Sequence, residues 1–589
     1  MSKARLIIVE IALFLFSAAT IGRLFYWQVL NYQDFAATAK AQVESTVLIG
    51  AKRGKIFSSD GSILVSNQKA YLMYALLPEI LKIKDKDETY NQLINDISDQ
   101  LVPILVRQKV ADNAKTTQPE IDLYRDETKS KMIFQLGRTG VVWVPLAKKI
   151  TEQTKLEVEK LKIKGIGFEE DTKRFYPEGN LAANLLGFVG EDRNSNDKGY
   201  SGLEGFYDSK LRGHAGNLIQ EVDASGRPIL ADTPEGLGAL DGLDLHTTID
   251  RTVQFVVDSK LSWGVQKYGA RAGAAIIINP KTGALLASSS FPSFDLLDPA
   301  SSKTESYKNY SISEVFEPGS VYKAVTFSAA LDSGSIKIDT ICPCAGPIKV
   351  SGYEVQTFNN KYYPNSTITQ ILQRSDNVGA AFAAQKMGTD IFLKYIQDFA
   401  FGVPTAIDLQ GEESGIIKGR SDWHEIELVN AAFGQGLSVT AMQMVSAFAA
   451  IGNDGVLMKP FVVKKIVGDD EEVEFKSKQV KRVIKSSTAT IMKELLFAAV
   501  EGGEAKKLIP HGYRVAGKTG TAQVPIPGGY STKTVASFVG FGPVEDPRFA
   551  MIIVLFQPSA SIYAAETSEP LFFDIIKELY PYWGIPVHE

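Results

Sequence analysis

Cysteine is nearly absent from this 589-residue chain: only Cys342 and Cys344 occur, one proline apart. Two thiols exclude a disulfide-built scaffold and any four-cysteine metal site, and leave a pair of unpaired or locally paired thiols near a loop. Histidine is almost as scarce. The five present (His214, His246, His424, His511 and His588) include no pair at zinc-ligand spacing, so no metal and no cofactor is called for. An excess of one charge is missing too: 63 Lys and Arg stand against 68 Asp and Glu, a formal net charge of -5. That gives no electrostatic footprint for nucleic acid. The chain also lacks internal repeats, low-complexity tracts and a heptad series, which excludes solenoids and coiled coils.

What is present is ordinary globular composition, 44% hydrophobic and 22% charged, spread over a length too great for one core. Two or more domains are expected. Residues 6–30 are almost wholly apolar and follow Lys3 and Arg5, which reads as a membrane-spanning signal anchor with residues 1–5 as a cytoplasmic tail. Glu10 and Arg23 interrupt the run, and a span of about 20 residues then needs Glu10 near one interface and Arg23 reaching toward the other. A cleaved signal peptide is the competing reading, since Ser17 and Ala19 offer a small-residue cleavage site. Against it, the apolar pattern continues through Leu24, Phe25, Tyr26 and Trp27, with aromatics where an interface belt sits. Positive charge before the span places the bulk of the chain outside the cytoplasm.

Residues 42–245 mix short β-like runs with polar helix, most clearly over 85–131, which reads as a solvated helical insertion. Texture changes near Asp241-Gly242, and residues 246–589 read as a second domain. There, 272–290 predicts two apolar strands joined by the turn Asn279-Pro280-Lys281-Thr282-Gly283. Helices are expected after Pro318-Gly319 and over 367–387 and 440–451, then strands near 515–524, 537–542 and 549–556, and a short helix near 571–579. Strands first, helices in the middle and strands last predict an α+β fold around one antiparallel sheet closed by distant parts of the chain.

Serine is a weak nucleophile at neutral pH and needs a base within hydrogen-bond reach. Helix positions three apart share a face, so Ser320-Val321-Tyr322-Lys323 puts hydroxyl and amine side by side at a helix N-terminus. Backbone donors there suit an oxyanion. Alone the motif is weak, because SxxK recurs at Ser66–Lys69 and Ser195–Lys198. Its order with Ser375-Asp376-Asn377 and Lys518-Thr519-Gly520-Thr521 is specific. A second KTG, at Lys281-Thr282-Gly283, precedes the nucleophile and reads as a turn, whereas the later copy sits in an apolar strand where glycine permits close approach of a substrate backbone. No GxSxG elbow competes.

With these motifs the chain resembles the class B penicillin-binding proteins, monofunctional D,D-transpeptidases. Phe316-Glu317-Pro318-Gly319-Ser320, Ala516-Gly517-Lys518-Thr519-Gly520-Thr521-Ala522 and Phe291-Pro292-Ser293-Phe294-Asp295 look like that family's catalytic signatures. Arg53-Gly54, Asp60-Gly61, Arg174-Phe175-Tyr176-Pro177-Glu178-Gly179 and Gly202-Leu203-Glu204-Gly205 resemble its pedestal motifs, with Phe57-Ser58-Ser59-Asp60 departing from a more basic turn. The run 202–208 looks more like division or spore-type members than elongation-type ones.

The resemblance implies an N-terminal transmembrane helix, an elongated α/β pedestal and a C-terminal transpeptidase domain. It assigns Ser320 the attack on a D-Ala-D-Ala carbonyl of a peptidoglycan stem peptide, Lys323 the base, Ser375 a proton relay and Asn377 a donor to the substrate amide. Lys518, Thr519, Gly520 and Thr521 would cradle the substrate carboxylate, and the N–H groups of Ser320 and Thr521 would form the oxyanion hole. Implied partners are lipid-linked precursor strands, β-lactam antibiotics, a SEDS-family membrane glycosyltransferase reached through the anchor, and divisome proteins. A carboxypeptidase or β-lactamase-like hydrolase, and a catalytically silent penicillin-binding sensor or scaffold, are the alternatives. All expected catalytic side chains are present, and an anchor with pedestal has no use in a hydrolase of soluble antibiotic.

Overall fold

The computed structural model describes residues 3–36, 44–83, 89–113, 116–193, 196–221, 235–469, 471–503, 506 and 508–586. The chain forms two compact units, residues 1–53 with 213–242, and residues 54–212 with 243–589.

The first unit contains helix α1 (Lys3–Phe25), continued by a wider turn over Tyr26–Leu30. Together they make one apolar segment, Lys3–Leu30, long enough to cross a membrane, and none of its most apolar stretch is buried. The same unit holds a three-stranded antiparallel sheet of Glu44–Ile49, Gly216–Glu221 and Glu235–Leu237.

In the second unit, the long strand β1 (Ile63–Leu76) pairs antiparallel with β2 (Trp143–Ile150) and β3 (Ile166–Phe175). The single helical insertion expected over 85–131 is two helices, α2 (Tyr90–Asp112) and α3 (Gln118–Leu136). Each starts at a threonine capping box, Thr89 with Gln92 and Thr117 with Glu120, and the second cap ends any continuous helix. Two of the motifs read from sequence meet nearby: Arg174 Nε donates to Glu204 Oε1 at 2.7 Å, with the side chains 8% and 0% exposed.

Next come α4 (Arg251–Lys267), β4 (Ala272–Ile278) and β5 (Leu285–Phe291), the last two joined by the expected turn. An excursion of mostly helical chain follows, carrying α5 (Lys323–Asp332), α6 (Ile368–Arg374), α7 (Asn377–Met387) and α8 (Ala441–Gly452). The two cysteines, Cys342 and Cys344, are disulfide-bonded across Pro343. Strands β6 (Ala516–Ile526), β7 (Gly529–Gly542) and β8 (Phe549–Phe556) then complete an antiparallel sheet in the order β5-β4-β8-β7-β6, and α9 (Ser568–Tyr582) closes the domain. Central strand β8 is buried on both faces, which explains its unbroken apolar run. Ala550, Ile552 and Val554 join a core that includes α8, every residue of which is buried. Met551, Ile553 and Leu555 face a second core with α4 and α9. The edge position falls to β6, whose free side borders the site.

Candidate active site

Ser320 lies in a tight helical turn, Gly319–Tyr322, that leads directly into α5. Three residues along this path, Lys323 donates from Nζ to Ser320 Oγ at 3.0 Å. Lys323 is 0% exposed. Burial first, and the Lys518 ammonium second, hold its pKa well below the ordinary lysine value, while Asp376 opposes them. The amine is thereby biased toward the neutral form that can take a proton.

The helix expected over 367–387 is broken in the middle, and the break builds the second wall. Ser375 adopts φ +54°, which ends α6, and Asp376 starts α7 by accepting from the N–H groups of Val378 at 2.8 Å and Gly379 at 3.3 Å. This corner aims three oxygens at Lys323 Nζ: the Ser375 carbonyl at 2.5 Å, Ser375 Oγ at 3.2 Å and Asn377 Oδ1 at 2.8 Å. Asn377 is fixed in turn by its Nδ2, which donates to the Gln356 carbonyl at 3.1 Å. A helical period alone does not signal such a break, because Ser-Asp-Asn is compatible with helix until the capping bonds are counted.

Edge strand β6 forms the third wall. Lys518 is 4% exposed and donates to Thr519 Oγ1 at 3.2 Å; burial pushes its pKa down to about 8, with the Glu569 carboxylate opposing. Thr521 Oγ1 accepts from the Ala564 N–H at 3.1 Å. Ser320, Ser375, Asn377, Lys518, Thr519 and Thr521 all line one cleft of ≈ 890 Å³.

Gly520 also has a packing role within the chain. A Cβ there would stand 2.7 Å from the Pro318 carbonyl oxygen, 2.8 Å from Val321 Cγ1 and 2.8 Å from Ser537 Oγ. The glycine lets the turn that carries Ser320 pack against β6. Behind it Gly434, at φ +81°, leaves only 2.2 Å between its would-be Cβ and the Gly319 carbonyl oxygen, and accepts the Gly319 N–H at 3.0 Å.

The decoy motifs stay apart from this cleft. Ser66 and Lys69 sit on β1, where positions three apart point to opposite faces, and Lys69 pairs with Glu170 at 2.9 Å. Lys281 caps the β4–β5 turn and pairs with Asp546. Ser195 lies outside the described residues. Sequence reasoning gave Glu317 no role beyond its place in a signature; its Oε1 accepts from the Gly436 N–H at 3.0 Å and from Tyr530 Oη at 3.3 Å. It also passed over Glu569, far from every motif.

Residues 273–577 match the model of the penicillin binding protein transpeptidase domain. The chain belongs to the penicillin-binding transpeptidase family. Residues 48–247 of this transpeptidase match the penicillin-binding protein dimerisation domain, the pairing that marks class B members. It is 29% identical over 571 residues to stage V sporulation protein D of Bacillus subtilis, covering 96% of this chain and 83% of that one. With the peptidoglycan D,D-transpeptidase FtsI of Escherichia coli it shares 31% identity over 436 residues, 73% of this chain and 71% of the other. Penicillin binding protein 2X from Streptococcus thermophilus superposes with a TM-score of 0.71 at 26% identity, covering 92% of this chain and 80% of that one. Relatives named for division and for sporulation both occur, and the apolar α1 makes this penicillin-binding transpeptidase a membrane-anchored protein.

Proposed function

We propose that the protein cross-links peptidoglycan by acyl transfer through Ser320. The observation that carries this reading is Ser320 Oγ held 3.0 Å from a fully buried Lys323, with Lys518 close enough to disfavour a second charge. Ser320 Oγ attacks the carbonyl carbon between the last two residues of a D-Ala-D-Ala stem, and its proton passes to Lys323 Nζ. The oxyanion is held by the N–H groups of Ser320 and Thr521, whose backbones are brought together by the Gly520 contact; one such donor is worth about 3 kcal/mol of barrier. Collapse breaks the C–N bond. The departing amine takes the proton from Lys323 by way of Ser375 Oγ, and free D-alanine leaves. An amine of a neighbouring stem then attacks the ester, gives up a proton along the same route and releases Ser320. Lys518, Thr519 and Thr521 hold the terminal carboxylate, and Asn377 orients the substrate amide. A β-lactam presents the same carbonyl and carboxylate and stops at the acyl-enzyme.

The span, preceded by Lys3 and Arg5, fits a single pass with the remaining chain outside the cytoplasm. Glu10 and Arg23 give it a polar handle for a SEDS-family glycosyltransferase and divisome partners. The test is fluorescent-penicillin labelling of the full chain: wild type and Ser66→Ala label, Ser320→Ala does not, and labelling of Ser320→Ala would sink the assignment. Incubation with lipid-linked stem peptides and a glycosyltransferase then gives cross-linked dimers. Only trimmed stems would make the protein a hydrolase.

A further inference from the structure

A second cavity lies away from the catalytic cleft and shares no lining residue with it. It measures ≈ 320 Å³ and sits where residues 178–184, which run on from the Arg174–Gly179 motif, meet α4 and β5. Strand β5 is one edge of the transpeptidase sheet, and β6, which borders the cleft, is the other. Its size is at the lower end of the about 300–1,000 Å³ typical of small-molecule sites, enough for one side chain or a small ligand.

The lining carries charge of one sign. Among the described residues no Lys, Arg or His borders the cavity, whereas Glu178 and Asp258 do. Glu178 is satisfied by Arg251, whose Nε donates to its Oε1 at 2.8 Å. Asp258 is met only by neutral donors among the described residues: the Ala182 N–H at 2.8 Å, Gln254 Nε2 at 3.0 Å and the Ser289 side chain. A carboxylate has room for about four donors, so one position remains. Burial pushes its pKa up to about 6, against those three hydrogen bonds. Cations on adjoining segments are engaged elsewhere, Lys260 with Glu578 and Lys308 with Glu314.

A separate observation points the same way. Asn184 lines the cavity and is 4% exposed, and its Oδ1 accepts no hydrogen bond among the described residues. Its Nδ2 donates to the Ser306 carbonyl at 2.8 Å, which fixes the amide's orientation. The cavity thus has acceptors in excess of donors. Phe255, 61% exposed, and Phe291 add ring surface to the wall, against which a carbon chain or a cation can pack.

We infer that this cavity binds a primary ammonium on an unbranched alkyl stem, with Asp258 as its counter-charge. A charged donor offsets the burial of the carboxylate, which neutral donors do only in part. The amine-bearing side chain of a peptide and a free diamine present the same end to such a site. The inference goes beyond the Ser320 chemistry and does not depend on it.

Calorimetric titration of the full chain in detergent tests this, with Nα-acetyl-lysine amide standing for the peptide side chain and cadaverine for the free diamine. Saturable binding of one molecule per chain is expected, and the tighter of the two amines identifies the source. Their uncharged counterparts, the Nε-acetylated lysine derivative and pentanediol, are expected to bind at least about tenfold more weakly. Asp258→Asn keeps an oxygen for the Ala182 N–H but removes the charge, and weakens the amine by a similar factor. Ser259 is exposed and lines the cavity, so Ser259→Trp fills it from outside and abolishes binding. No saturable binding of either amine, uncharged counterparts that bind as tightly, or affinity undiminished in Asp258→Asn overturns the inference. Should Asp258→Asn not fold, as judged by thermal melting, Ser259→Trp decides, and undiminished affinity there overturns it equally.

Discussion

Asn377 Oδ1 lies 2.8 Å from Lys323 Nζ across 54 residues of sequence, and the two belong to different helices. The contact exists because a corner replaces helix at Ser375, so amine, hydroxyl and amide converge only after tertiary folding. Replacing Asn377 by Ala removes both this acceptor and the tether to Gln356. Acylation by penicillin is expected to fall about 10- to 100-fold, in line with about 1–3 kcal/mol for losing a hydrogen bond to an ionisable buried group. Stopped-flow acylation measures it.

The wild-type pH profile follows from two lysines. In the proposed mechanism acylation needs Lys323 neutral, so it rises as pH climbs through that residue's depressed pKa. The same mechanism needs Lys518 charged, so the rate falls as pH passes about 8. A bell with its alkaline limb near 8 is expected. A flat profile to pH 10 would contradict the role of Lys518.

Asp376 raises the Lys323 pKa against burial and Lys518. Asp376→Asn keeps a capping oxygen but removes the charge, so Lys323 becomes easier to deprotonate. The acid limb is expected to move to lower pH, while the alkaline limb stays. Thermal stability should drop by no more than about 1 kcal/mol, the scale of a helix cap.

Gly434→Ala places a methyl 2.2 Å from the Gly319 carbonyl oxygen at a residue with φ +81°. Backbone must shift, and the first backbone to shift is the turn that carries Ser320. Expected are a stability loss of about 2–4 kcal/mol, from overpacking plus left-handed strain, and acylation slowed even in the folded fraction.

Glu204→Gln removes the counter-charge of Arg174 in a pair with side chains 0% and 8% exposed. Breaking a buried pair from one side costs about 3–5 kcal/mol, visible as a lower urea midpoint. The acylation constant of the folded protein is expected to stay at the wild-type value, since neither residue reaches the cleft.

Much of this was legible beforehand, for physical reasons. Strand β8 is a strand in sequence because both its faces are buried and all its residues are apolar. The β4–β5 turn is written in Asn279-Pro280 and Gly283, and the core helix α8 in its apolar composition. Ser320, Lys323 and Lys518 could be singled out because their spacing is local and their order fixed. The corner at Ser375 was not legible, because periodicity continues across it and only capping bonds reveal the interruption. The packing of Gly520 against the Pro318 carbonyl was not legible either, because that contact is set by the tertiary fold. Glu569 carried no signal: its relation to Lys518 is spatial, and a glutamate in a first helical turn is unremarkable in sequence.

The order of strands in the transpeptidase sheet has a consequence for biogenesis. Strand β4 pairs with β8, Ala272 opposite Phe556, so the early hairpin waits for almost the whole domain before its inner edge is covered. A nascent chain growing from its N-terminus therefore presents β4 with an open, apolar edge until β8 arrives. Such high contact order slows folding and exposes the intermediate to aggregation. The rate at which the last strands are delivered then governs how much active enzyme accumulates.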